Sequence, residues 1–417
     1  MASNREFASA FRHPEFRLLQ GARLSGIIAL QIQNVAIGWD VYRVSGNPLY
    51  LGYVGLAQFW PVFLLAPLTG AAADRFERRR ILVLCHATLA VAALLLSLVN
   101  DSSLPAVYAL LSLVGAARAF TGPSASALLV TTVPPKDFSN AVAWSSSVWQ
   151  VATIAGPALG GVLYLTLGSG RYVYAVCSAL ELIAMSLVVF MKRRPAAAPQ
   201  TRASARDLLA GLHFVGSRRL LLSVISLDMF AVLLGGAVAL LPAVARDVLD
   251  VGPGGLGLLR SAPAVGAALV ALGLAFRPIH RRAGLTMLLS VGGFGLCTIG
   301  FGWSRHFVAS LGLLVLMGAF DMVSVFVRQN IVQLSTPDAM RGRVNAVNLV
   351  FVGASNELGE LESGVTAAWF GVVPAILVGG VGTVLVVVLW ALLFPSLRGL
   401  NRLDADSLGT QDGSDAT

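Results

Sequence analysis

Apolar residues run along this chain in blocks of roughly twenty to thirty, separated by short polar or charged intervals. A block of ~20 apolar residues is what a helix needs to cross the hydrocarbon core of a bilayer. Twelve blocks predict spans near 18–42, 50–73, 81–100, 104–127, 139–167, 172–191, 220–244, 253–276, 284–303, 307–333, 344–369 and 372–394. The short alternating segments of a barrel are missing, so helices are the remaining way across lipid. One interval is long: 192–219, rich in Pro, Ala and Arg, reads as a linker with an amphipathic surface helix near Ala205–Val215. The predicted organisation is a polar segment 1–17, a six-helix bundle 18–191, the linker 192–219, a second bundle 220–395 and a polar tail 396–417. The fold class is an all-α polytopic membrane protein.

The two bundles repeat each other at a shift of about 203 residues. Gly70, Arg78 and Arg79 fall on Gly273, Arg281 and Arg282, while Asp74 falls on Arg277. Leu113-Val-Gly115-Ala116 falls on Leu316-Met-Gly318-Ala319, which sets Arg118 opposite Asp321. Gly156 and Gly161 fall on Gly359 and Gly364, and Asn140-Ala-Val142 recurs as Asn345-Ala-Val347 two residues further out. Several such matches in chain order predict a duplicated, pseudo-symmetric 6+6 architecture.

Composition agrees. Hydrophobic residues are 56% of 417 and charged residues only 12%, about half the usual share for a soluble chain. The net charge of +9 is mostly arginine in the intervals assigned to the cytoplasm, so it does not point to nucleic acid. Those segments hold 22 of the 30 Lys and Arg, and the opposite side holds Arg43, Arg171, Arg246 and Arg305. Both termini are therefore expected in the cytoplasm. Met1–Arg17 lacks the apolar core of a signal peptide, which leaves the first span as the insertion signal. Cys85, Cys177 and Cys297 fall in spans without metal-ligand spacing and read as small apolar residues, so no metal or cofactor is expected.

Ionisable residues inside a membrane are costly and point to function or to a partner. The eleventh span is the most unusual, with Gly353, Glu357, Glu360 and Gly364 on one helical face and Glu362 on another. Two carboxylates on one face repel when both are ionised, which suits a proton or cation site; permanent pairing with Arg260 or another buried arginine is the structural alternative. Arg23, Asp40, Arg118, Glu181, Asp228, Asp321 and Arg328 complete the set. Glu181 and Arg23 read as helix-pairing residues, and His86 as a hydrogen-bonded structural one. Gln31, Asn34 and Gly38 make a polar stripe on the first span, with Gln33 and Asp40 on another face. Asp40, near the outer end, could be simply solvated.

Between the second and third spans stands Gly70-Ala-Ala-Ala-Asp74-Arg75-Phe-Glu77-Arg78-Arg79-Arg80, whose charges confine it to the membrane surface. Beyond fixing topology, it could act as a latch, with Asp74 at a helix N-terminus and the arginines on acidic or backbone partners. This stretch closely resembles the Gly-x-x-x-Asp-Arg-x-Gly-Arg-Arg signature of the major facilitator superfamily, twelve-helix secondary transporters; Gly70, Asp74, Arg75, Arg78 and Arg79 match, and Glu77 replaces the second glycine. Arg118-Ala-Phe-Thr-Gly122 resembles the family's Arg-x-x-x-Gly motif, implicated there in proton transfer. Gly156-Pro157-Ala-Leu-Gly160-Gly161 resembles the Gly-Pro motif of its exporters, where Pro157 would bend the helix at a gate. With Pro337-Asp-x-x-Arg341-Gly-Arg343 and Phe11-Arg-His-Pro-x-Phe-Arg17, residues 10–395 resemble the branch of enterobactin-exporter-like proteins and bacterial secretion permeases.

The resemblance implies helices one, four, seven and ten around a central cavity. It places Arg118 and Asp321 there, as an ion pair between the halves or as charges paired within each half, and makes Asp228, Asp40, Gln31, Asn34 and Trp149 candidate cavity residues. The expected function is proton-driven export of a small amphipathic organic molecule, drug-like or siderophore, by alternating access. Glu357, Glu360, Asp321, Asp228 and Arg118 would carry the proton coupling. Uptake or uniport of a metabolite, with proton or sodium coupling, and a non-transporting membrane sensor are the alternatives. No enzyme is expected: Gly252-Pro-Gly-Gly-Leu-Gly257 lacks the Lys-Ser/Thr of a phosphate loop. The expected setting is a monomer in a bacterial cytoplasmic membrane, with the small-molecule substrate, protons and lipid as partners.

Overall fold

The computed structural model describes residues 9–99, 103–192, 205–277, 279 and 281–400. The side chains of 66, 67, 70, 71, 73–75, 205–208, 338 and 339 lie outside that description. The long helices are α1 Pro14–Ser45, α2 Leu49–Arg75, α3 Arg78–Leu98, α4 Leu104–Thr132, α5 Phe138–Leu167 and α6 Gly170–Val189. After a surface helix at Ala205–Ser217 come α7 Arg219–Leu234, α8 Gly252–Phe276, α9 Ala283–Trp303, α10 Phe307–Leu334, α11 Asp338–Phe370 and α12 Val372–Leu393. Among the described residues nine stretches are long and apolar enough to cross a membrane; α1, α2 and α11 lie outside that set. α1 and α11 carry the polar and charged side chains picked out above.

The chain divides into two compact units. The first comprises Met1–Gly46, Leu56–Arg202 and Gly252–Ser261, and the second Asn47–Gly55, Ala203–Val251 and Ala262–Thr417. In the first, α1 packs on α5 and α6, and α3 on α4 and α6. In the second, α7 packs on α11 and α12, and α9 on α10 and α12. Each pairing recurs six helices later, so the internal repeat is a repeat of packing.

Glycines at repeat positions make that frame. In the first unit Gly156 takes the Gln31 side chain and the Ile28 backbone of α1, and in the second Gly359 takes the Val232 and Leu233 carbonyls of α7. Gly161 admits Pro253 and Gly257 at the start of α8, as Gly364 admits Pro48 and Gly52 at the start of α2. Gly115 of α4 faces the Gln58 carbonyl of α2, and Gly318 of α10 faces the Pro263 carbonyl of α8. At Gly115, Gly156, Gly161 and Gly318 a Cβ would collide with its neighbours, and at Gly359 and Gly364 it would be tightly crowded, so the small residue sets the interhelical distance.

One expected helix is interrupted. The seventh span, 220–244, reads as continuous, but α7 ends at Leu234 and the chain goes on through Gly235-Gly236, a 3-10 turn at Ala237–Leu240 and a π turn at Val244–Val248. The cause is close approach: at Gly236 a Cβ would meet Gly359 and Ser363 of α11, and at Gly235 it would meet the Phe294 ring. Two consecutive glycines let the backbone leave the helix where α11 crosses it. The surface helix lies near its expected place, and its Gly211 seats the Arg343 backbone of α11.

Candidate transport site

The first unit holds a cavity of about 390 Å³ between α1, α3, α4, α5 and α6. Arg23 and Gly26 of α1, His86 of α3, Arg118 of α4, Trp149 of α5 and Glu181 of α6 face it, among apolar neighbours. Helical periodicity sets Arg23 and Gly26 on one side of α1, and Gly26 is small enough for the His86 ring to lie against its Cα. His86 Nδ1 and Glu181 Oε2 are 2.7 Å apart with both side chains almost fully buried. Arg118 Nη1 donates to Gln58 Oε1 of α2 at 2.9 Å. Arg23 has no hydrogen-bond or ion-pair partner among the described residues.

The second unit contains an acidic counterpart with almost no space. Asp228 of α7 and Asp321 of α10 border a cavity of only about 10 Å³, together with Ser324 and Phe294. Arg328 Nη1 bridges to Asp228 Oδ2 at 3.0 Å and to Asn348 Oδ1 at 3.2 Å. Both charges of the ion pair are buried, Asp228 at 5% and Arg328 at 4% relative exposure. Ser324 Oγ and Arg328 Nε find no hydrogen-bond partner among the described residues.

Helix α11 carries the remaining acids. Glu360 lies over Gly55 of α2 within the second unit, three residues from the contact of Gly52 with Glu360 and Leu361 backbone. Gly364 meets Gly52, whereas Gly353 faces open space, so only one of the two flanking glycines marks a close approach. Glu357 and Glu360 are half-buried and both have interaction partners. Glu362 turns back on its own helix and accepts from Thr366 Oγ1 at 2.8 Å.

The predicted residues of α1 separate. Asp40 is buried, not solvated: it accepts from Tyr164 and Tyr174 hydroxyls, the latter at 2.7 Å, and from Arg43 at 3.1 Å. It also sits against Gly170 at the N-terminus of α6, where the helix dipole favours an anion. It therefore ties α1 to α5 and α6. Gln31 is taken up in packing on Gly156. Asn34 keeps a buried Oδ1 without a hydrogen bond among the described residues.

At the α2–α3 turn, Arg78 donates to the Ala127 carbonyl at 3.2 Å and Arg79 to the Val188 carbonyl at 3.1 Å and to that of Val189. Arg79 thus closes the carbonyl end of α6. Glu77 pairs with Arg80 at 2.7 Å. Gly70, Asp74 and Arg75 lie outside the residues whose side chains are described. Pro157 is inside α5, between Gly156 on α1 and Gly160, whose Cα faces Ile32 and Val35. At the entry to the unit His13 Nε2 lies 2.9 Å from Asp137 Oδ2 in the α4–α5 loop. Hydrogen bonds from His13 and from Ser9 hold this Asp137 below the ordinary carboxylate range.

In the sequence His86 and Glu181 read as two separate structural residues, whereas the fold pairs them. The available signal was the repeat: their counterparts are Leu289 and Val384, so both depart from the duplicated frame.

Two helical units that repeat each other's packing, each with buried ionisable side chains, are the frame of a membrane transporter. The family model described as Major Facilitator Superfamily matches residues 22–360, and the chain belongs to that superfamily. Two curated relatives span nearly the whole chain. "Enterobactin exporter EntS" of Citrobacter koseri is 27% identical over 392 residues, covering 93% of each chain. The protein of that name from Shigella boydii serotype 18 is 26% identical with the same coverage. Among solved structures, nucleoside transporter NupG aligns with a TM-score of 0.73 at 15% identity, over 91% of this chain and 99% of that one. A bacterial homolog of the human lysosomal transporter Spinster, inward-facing and occupied, aligns with a TM-score of 0.71 at 16% identity, over 92% and 95%. These likenesses establish the fold.

Proposed function

We propose that this chain is a proton-coupled exporter of a small amphipathic organic molecule, siderophore-like or drug-like. The observation that carries the reading is the likeness, along 93% of each chain, to proteins named as enterobactin exporters. The charged cavity in the first unit supports it, since about 390 Å³ falls within the usual span of small-molecule sites. The coupling would run through carboxylates of the second unit: Asp321 beside the Asp228–Arg328 pair, and Glu357 and Glu360 on α11. Protonation from outside would weaken an ion pair and bias the transporter toward release. The arginine distribution supports a bacterial cytoplasmic membrane with both termini inside.

The test is purified protein in liposomes with an internal pH dye and a panel of siderophores and lipophilic ions, comparing wild type with Glu357→Gln/Glu360→Gln. Substrate-dependent proton flux that the double variant loses supports the antiporter. Substrate movement without proton flux, unchanged by the substitutions, would make it a uniporter with structural glutamates.

A further inference from the structure

We infer that the cavity of the first unit is an anion site, and that the molecule it takes is an amphipathic anion with a flat apolar part. Its movement across the membrane rests on the exporter reading above; its binding does not. A guanidinium at membrane depth is costly unless a counter-charge accompanies it. Two of them, Arg23 and Arg118, face this cavity. Arg118 is met by a neutral amide, Gln58, and Arg23 by nothing among the described residues. Glu181 is the one carboxylate on the lining, and it is already hydrogen-bonded to His86. The lining thus sets two guanidiniums against a single carboxylate that His86 already engages, an excess of positive charge for an incoming anion to balance.

The chemistry of the lining narrows the ligand further. A guanidinium presents a planar fork that matches a carboxylate, a phosphate or a sulfonate two bonds at a time. Trp149 is 54% exposed and turns an aromatic surface to the same space, and the rest of the lining is largely apolar. A flat ring system bearing an acid group would fill both requirements. A lipophilic cation would meet two like charges there.

The test uses three probes of one shape and different charge: naphthoate, naphthamide and naphthylmethylammonium. Their binding is measured by calorimetry on the full-length protein in nanodiscs. Wild type is expected to bind naphthoate at least about tenfold more tightly than naphthamide, which is the ratio one well-made charged contact supplies. The cation is expected not to bind. Arg23→Gln and Arg118→Gln are each expected to weaken naphthoate about tenfold and to leave naphthamide unchanged, with Arg23→Lys intermediate. Equal affinity for naphthoate and naphthamide, preference for the cation, or no saturable binding of naphthoate overturns the anion site. The charge series on wild type decides this even if an arginine variant fails to fold. Export of a neutral or cationic compound without naphthoate binding would overturn the anion site and leave the exporter standing. Naphthoate binding without transport of any amphipath would do the reverse.

Discussion

The two units share a frame and differ in chemistry. Gly115, Gly156 and Gly161 repeat as Gly318, Gly359 and Gly364, and each pair receives the corresponding neighbouring helix. The charges do not repeat. Arg23, His86, Arg118 and Glu181 in the first unit correspond to Ser226, Leu289, Asp321 and Val384 in the second. Asp228 and Arg328 correspond in turn to Ser25 and Ala125. One unit therefore lines a cavity of about 390 Å³ with two arginines and one carboxylate, and the other closes two acids around about 10 Å³. Packing glycines are held by close contacts with the neighbouring helix that a larger side chain would disturb. A polar side chain facing a cavity can change without disturbing a helix contact, so duplication left the chemistry free to diverge. Under the proposed function the two units divide the labour, with ligand space in the first and proton-accepting carboxylates in the second.

The largest expected effect tests the closed acidic site. Asp228→Ala leaves Arg328 as a buried charge without its carboxylate and should cost about 3–5 kcal/mol. Adding Arg328→Leu should restore most of that loss, read as the melting temperature in detergent. Failure of the double variant to recover would mean the pair does more than neutralise itself.

Next come the shared glycines. Gly115→Val and Gly318→Val should each destabilise their unit by about 1–3 kcal/mol through overpacking against a carbonyl. Similar losses in both units would support a common frame, whereas a loss in only one would break the comparison. A smaller change is expected at the cavity wall. Glu181→Gln can still hydrogen-bond His86 and should shift stability by no more than about 1 kcal/mol, while Glu181→Ala should cost more.

The smallest effect lies outside the membrane. Asp137 has its carboxylate pKa lowered by His13, so its contribution is present above the unfolded-state value and is lost as pH falls through the folded one. Asp137→Asn should flatten the acid side of the stability profile slightly and leave neutral-pH transport unchanged. A profile unchanged at acid pH would contradict that assignment.

Much of the fold was readable because membrane crossing imposes a long apolar run on each helix. The starts of α8, α10 and α12 fall within a residue of the expected spans. The interruption after α7 was not readable, since Gly235-Gly236 becomes a break only when Gly359 and Ser363 arrive against it. Glycine pairs occur in continuous spans too, including Gly292-Gly293 within α9. Side-chain pairing was the harder part. His86 and Glu181 are 95 positions apart, and their meeting depends on the rotation of two helices about their axes. For Asp40, nearness to the outer end suggested water, but Tyr164 and Tyr174 enclose it. The candidate residues were visible as charges in apolar runs; their partners were not.

The most direct measurement of the division of labour follows substrate counterflow and the pH-dye signal together in proteoliposomes, for Asp321→Asn and Arg23→Gln. The account predicts that Asp321→Asn still exchanges substrate but moves no protons with it. Arg23→Gln should lose substrate affinity while each molecule it does move remains proton-coupled. The opposite assignment, with proton coupling lost in Arg23→Gln and substrate affinity lost in Asp321→Asn, would contradict it.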